Sequence, residues 1–149
     1  MVVYSLYILS KAGGKIFNRD YGKYKDENQV PPYRKPEGNE YLILGSTFHS
    51  LHVISSQISP IKGGGGMELL EADTFKLYCY QSPTETKFFL LADAQQQNLD
   101  QLARTIYELY ADYVMKNPFY EMEMPIHCDL FLVNVEKKID EINNKKTTN

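Results

Sequence analysis

Residues 41–81 read YLILGSTFHSLHVISSQISPIKGGGGMELLEADTFKLYCYQ, and the fold turns on how this stretch is parsed. Tyr41, Leu44, Phe48, Leu51 and Ile58 recur at helical spacing on one side, and Ile43 and Ile54 widen that side. Leu42 and Val53 fall on the opposite side, with Ser46, His49 and Gln57 between them. A helix lying on a sheet needs one apolar side, so a second one predicts cover from elsewhere. Ser59-Pro60 ends the helix, and Gly63 to Gly66 form a permissive connector. Met67 to Glu71 then reads as a short strand and Ala72-Asp73 as its turn. Phe75, Leu77 and Cys79 alternate with Lys76, Tyr78 and Tyr80, the pattern of a half-buried strand.

Working outward, Val2 to Leu9 is almost continuously apolar and predicts a strand covered on both faces. Gly13-Gly14 supplies a turn, and Lys15 to Asp20 returns as a second strand. Tyr21 to Gly38 is polar, carries Pro31, Pro32 and Pro36, and reads as a long loop; Asn39 can cap a helix beginning at Glu40. Lys87 to Ala92 predicts another central strand. Leu99, Leu102, Ala103, Ile106, Tyr107, Tyr110, Tyr113 and Val114 line one face of a second helix that stops at Asn117-Pro118. Cys128, Phe131, Leu132, Val135, Ile139 and Ile142 do the same for a third, before a polar tail over 144–149. The order β-β-α-β-β-β-α-α predicts a single α+β domain over 1–143. Its five-stranded, mainly antiparallel sheet has three helices, and the first and last strands are neighbours in its centre.

A chain of 149 residues is long enough for one real core, and a net charge of −3 argues against a phosphate-binding surface. The stretch from Lys11 to Lys35 is locally basic, which fits a solvated loop, an anionic membrane or an acidic partner. Two cysteines in apolar-patterned segments suit buried thiols in a reducing compartment. With no leader pattern and no apolar run of about 20 residues, the expectation is a cytosolic protein whose membrane contact is peripheral.

Chemistry is hard to find. The glycine run 63–66 precedes a strand, whereas a phosphate loop needs a helix there. His49 and His52 can share a helical face, but no ligand set joins them, so neither metal nor cofactor is expected. Cys79 shares a strand face with Phe75 and Leu77 and lacks the electropositive setting of an activated thiolate. Glu68 and Glu71 point to opposite strand faces and make no acid–base pair. Asn117-Pro118-Phe119-Tyr120 looks like a linear sorting motif, yet it joins two helices, so Phe119 and Tyr120 are expected to pack down.

Longer blocks carry a resemblance. They are Lys11-Ala12-Gly13-Gly14, Phe48-His49-Ser50-Leu51, Ser56-Gln57-Ile58-Ser59-Pro60, Leu70 through Gln81, Leu91-Ala92-Asp93, and Lys116 through Tyr120 with Glu123-Met124-Pro125-Ile126. In these the chain resembles the synbindin family, longin-domain subunits of the trafficking protein particle (TRAPP) complex. The resemblance implies a longin fold and a non-enzymatic place in an assembly that exchanges guanine nucleotide on a Rab-family GTPase in endoplasmic-reticulum-to-Golgi and Golgi transport. It implies a second longin subunit and Bet3-like subunits as partners, and a peripheral location at those membranes. Several members carry an inserted domain where this chain has only the loop 21–38, so functions of that insert are not expected here.

Taken with the surplus stripe, the resemblance predicts a partner interface on Leu42, Ser46, His49, Val53 and Gln57. Met67 and Leu69 would join it if the short strand is a sheet edge. The stripe could instead be covered by the chain's own loop 21–38. A longin of another trafficking or adaptor complex, without exchange activity, is the alternative reading. A SNARE is not expected, since neither a heptad segment nor an anchor follows.

Overall fold

A computed structural model describes residues 3–21, 40–61, 66, 68–73, 75–121 and 123–144, with side chains in the first helix described from Ile43 onward. Residues 22–38 of the predicted loop 21–38, the cap at Asn39, Met67, most of the glycine run and the end of the tail lie outside the described residues.

Strands β1 (Val3–Leu9) and β2 (Lys15–Asp20) form the N-terminal hairpin, followed by helix α1 (Glu40–Ile58). Strands β3 (Leu69–Glu71), β4 (Phe75–Gln81) and β5 (Lys87–Asp93) form a meander. Helix α2 (Leu99–Tyr110) widens into a π-helical turn over Ala111–Met115, and α3 (Asp129–Asn144) closes the fold. The sheet order is β2-β1-β5-β4-β3, with every neighbouring pair antiparallel. The predicted element order and the β1–β5 neighbourhood are both observed. All seven residues of β1 are buried, as its unbroken apolar run requires of a strand covered on both faces.

The larger core lies between the sheet and α2–α3. Leu6, Ile8, Phe88, Leu90 and Ala92 meet Leu102, Ala103, Ile106, Phe131, Val135 and Ile139 there. Its rings interlock edge to face: Phe88 and Tyr110 have centroids 5.4 Å apart, and Phe17 and Phe131 likewise 5.4 Å apart. Because α2 and α3 each carry one apolar stripe, their rotation on the sheet follows from the sequence.

Among the described residues, the opposite sheet face is covered by helix α1. Phe48 stacks on Phe89 at 5.3 Å and meets Tyr7 edge-on at 5.2 Å, with Leu9, Leu77 and Cys79 around them. Here the expected rotation is corrected. Ile43, Ile54 and Ile58, assigned to the core side, are 63%, 54% and 76% exposed. The side that meets the sheet runs instead through Gly45, Phe48 and His52. Small and polar residues allow close approach: Gly45 lies against Leu9 and Lys15, and two further glycines receive histidine rings. A β-carbon on Gly13 would stand 2.6 Å from His49 Cδ2, and one on Gly66 2.5 Å from the His52 carbonyl oxygen. Gly13 also has φ +92°, a conformation that side chains disfavour. These contacts set the α1 histidines against glycines, with His52 buried and His49 half-buried, while isoleucines stand in water.

Candidate protein-interaction site

The two sheet edges differ. Beside β2, the amide of Ile126 donates to Ile16 O at 2.8 Å, so a returning segment covers that edge. Among the described residues, β3 pairs only with β4, and all three of its residues are exposed. Leu70, Leu77 and Leu91 are cross-strand neighbours on the face that α1 covers. In strand order, Leu91 on β5 is half-buried, Leu77 on β4 buried and Leu70 on β3 exposed, so the cover over this row ends between β4 and β3. Leu44, packed on the cluster around Phe48, and Leu51 are also half-buried. Ile43, Ile54 and Ile58 on α1 and Leu70 on β3 are exposed apolar side chains, and among the described residues β3 has an unpaired outer edge.

The predicted interface residues divide among several places. Ser46, Val53 and Gln57 share the exposed arc of α1. His49 does not: its ring turns in against Gly13, and its Nδ1 is buried without a hydrogen-bond partner. Leu69 is exposed but pairs with Tyr78, on the sheet face opposite α1. The Leu42 side chain and Met67 lie outside the described residues. Sequence reasoning missed Ile43, Ile54 and Ile58 as surface residues, and Leu70 as the β3 residue on the α1 face. The parity of β3 relative to Leu77 was the signal available for Leu70.

The electrostatics beneath α1 are those of a packed layer. Burial lowers the pKa of His49 and His52 from the usual imidazole value; the Lys87 ammonium lowers both further, and His49 adds to the effect on His52. Burial pushes the Cys79 thiol up to about 12, which makes it a core group rather than a nucleophile, as its strand face predicts. The two histidine rings sit against different glycines. Among the described residues, no group of three or more histidine, cysteine or acidic side chains is placed to hold a metal. No described helix is long and apolar enough to cross a membrane.

A five-stranded antiparallel sheet with one helix on one face and two on the other defines an α+β layered, longin-like fold, here with an apolar surface at one edge. The sequence matches the model of the Sybindin-like family over residues 3–142, and the chain belongs to that family. It is 48% identical over 132 residues to trafficking protein particle complex subunit 4 of Dictyostelium discoideum, covering 88% of this chain and 91% of that protein. To the human protein of the same name it is 54% identical over 102 residues, covering 68% of this chain. The chain spans about half, 47%, of that relative's length. It is also 26% identical over 134 residues to trafficking protein particle complex subunit 1 of D. discoideum, with 88% and 89% of the two chains covered.

Proposed function

We propose that this chain is a non-catalytic subunit of a TRAPP complex in vesicle transport. It lends surface to an assembly that exchanges guanine nucleotide on a Rab-family GTPase in endoplasmic-reticulum-to-Golgi and Golgi traffic. The observation that carries the reading is the exposure of Ile43, Ile54 and Ile58 on α1 and of Leu70 on β3, whose outer edge is unpaired among the described residues, in a chain akin to named TRAPP subunits. Such a surface suits a second longin subunit, whose own helix and edge strand would cover it and extend the sheet. Bet3-like subunits complete the proposed assembly, which acts peripherally at Golgi and endoplasmic reticulum membranes. Exchange needs an assembly that favours the nucleotide-free GTPase over the loaded one, a task of rigid contact surface rather than acid–base groups.

The test is co-expression with the other TRAPP subunits, reading both co-purification and nucleotide release from a panel of Rab GTPases. Exchange is expected from the assembly and not from the isolated chain. Ile54→Asp combined with Leu70→Asp is expected to abolish co-purification with the second longin subunit. Because both positions are exposed, each change alone should alter stability by no more than about 0.5 kcal/mol. Undiminished assembly would remove this interface from the proposal, and exchange by the isolated chain would overturn the non-catalytic role.

A further inference from the structure

A second apolar surface stands apart from α1, in the connection between α2 and α3. Phe119, expected to pack down, is 91% exposed. The turn that carries it is braced. The Phe119 amide donates to Asn117 Oδ1 at 3.0 Å, the Tyr120 amide to Asn117 O at 3.1 Å, and the Tyr120 hydroxyl to Met124 O at 2.9 Å. Tyr120 does pack inward, where burial chiefly raises its phenol to about 12 and the neighbouring Tyr110 adds to the effect. One aromatic ring of the pair is thus anchored and the other held out in water.

Beside Phe119 lies a cavity of about 170 Å³, with buried Val114 and Ile126 among its lining and Met124 on its wall. An apolar cavity of about 150 Å³ holds a benzene ring, so the space suits one aromatic or branched aliphatic side chain. The surroundings are acidic. Glu121 lines the cavity, Glu123 and Asp129 are exposed nearby in sequence, and none of the three has an ion-pair partner among the described residues. The nearby Lys116 already pairs with Asp112 at 3.3 Å. Such a rim repels an anionic lipid surface and attracts a cationic polypeptide. The segment also lies by the β2 edge, through the Ile126–Ile16 hydrogen bond, at the opposite end of the strand order from β3.

We propose that this site docks a basic polypeptide segment that seats one apolar side chain in the cavity against Phe119 and sets lysine or arginine against Glu121 and Glu123. It is separate from the α1–β3 surface, so both can be occupied at once.

The test uses the isotope-labelled full chain and three probes: the capped pentapeptide Lys-Lys-Phe-Lys-Lys, its Glu-Glu-Phe-Glu-Glu counterpart, and phosphatidylserine vesicles. The basic peptide is expected to give saturable amide shifts confined to residues 114–128, weakening as salt is raised from about 0.05 to 0.5 M because the attraction is screened. Phe119→Ala, and separately Glu121→Lys with Glu123→Lys, should each weaken binding by tenfold or more with an unchanged melting temperature. No saturable shift, shifts centred elsewhere, equal binding of the acidic peptide, or vesicle binding that survives Phe119→Ala would each overturn the proposal.

Discussion

The two faces of the sheet are built on different terms. On one, α2 and α3 present single apolar stripes and enclose interlocked rings, and Phe131 and Ile139 are wholly buried. On the other, α1 approaches through Gly45, Phe48 and His52 and turns isoleucines outward. The first face is complete within the chain. The second is held by glycine–histidine contacts and one stacked phenylalanine, and among the described residues it leaves Leu70 exposed at the β3 edge. A face that serves the fold alone can bury every apolar side chain. One proposed also to meet another protein would have to divide them.

This contrast can be broken by measurement. The largest effect should come from Phe131→Ala, which empties the closed core and should cost about 3–5 kcal/mol in urea unfolding. Phe48→Ala, on the α1 face, should cost less and raise amide exchange in α1 before the sheet. An equal or larger loss from Phe48→Ala would mean the two faces are equally closed.

Gly13→Ala should come next, at about 2 kcal/mol, because it combines a positive φ with a β-carbon only 2.6 Å from the His49 ring. Adding His49→Ala should recover only the part due to the clash. Full recovery would mean the backbone at Gly13 is not strained by a side chain.

Smaller still is a pH effect on α1. His49 and His52 have lowered pKa values in the folded protein, so the unfolded chain binds protons more readily. The stability they contribute is therefore intact above the ordinary histidine pKa of about 6.5. It is lost as pH falls from there through their lowered folded values. Amide exchange should show α1 loosening before α2 and α3 on acidification, and the double variant His49→Gln with His52→Gln should flatten that dependence. Uniform loosening of all three helices would assign the effect elsewhere.

The β1–β5 neighbourhood was legible because both strands read as apolar runs, and a run buried on two faces belongs in the middle of a sheet. α2 and α3 were legible because each has one stripe. The rotation of α1 was not: Leu42 and Val53 opposed Leu44, Phe48 and Leu51, and hydrophobicity alone does not choose between two sides. The exposed Phe119 was equally hidden, since Asn117-Pro118 marks a helix end without saying which of the next two rings turns inward.

By itself, then, the sequence determined the order of elements, the buried character of β1 and β5, the inert setting of Cys79, and the presence of more apolar surface on α1 than one sheet can cover. These follow from local periodicity, which every residue reports about its own neighbours. Only the tertiary structure decided which side of α1 faces water, that His49 turns toward Gly13, that Leu70 rather than Leu69 shares the α1 face, and that Phe119 stands free. Those outcomes depend on close approach between residues distant in sequence, where a glycine in one turn makes room for a ring on a helix, and no periodicity records that meeting.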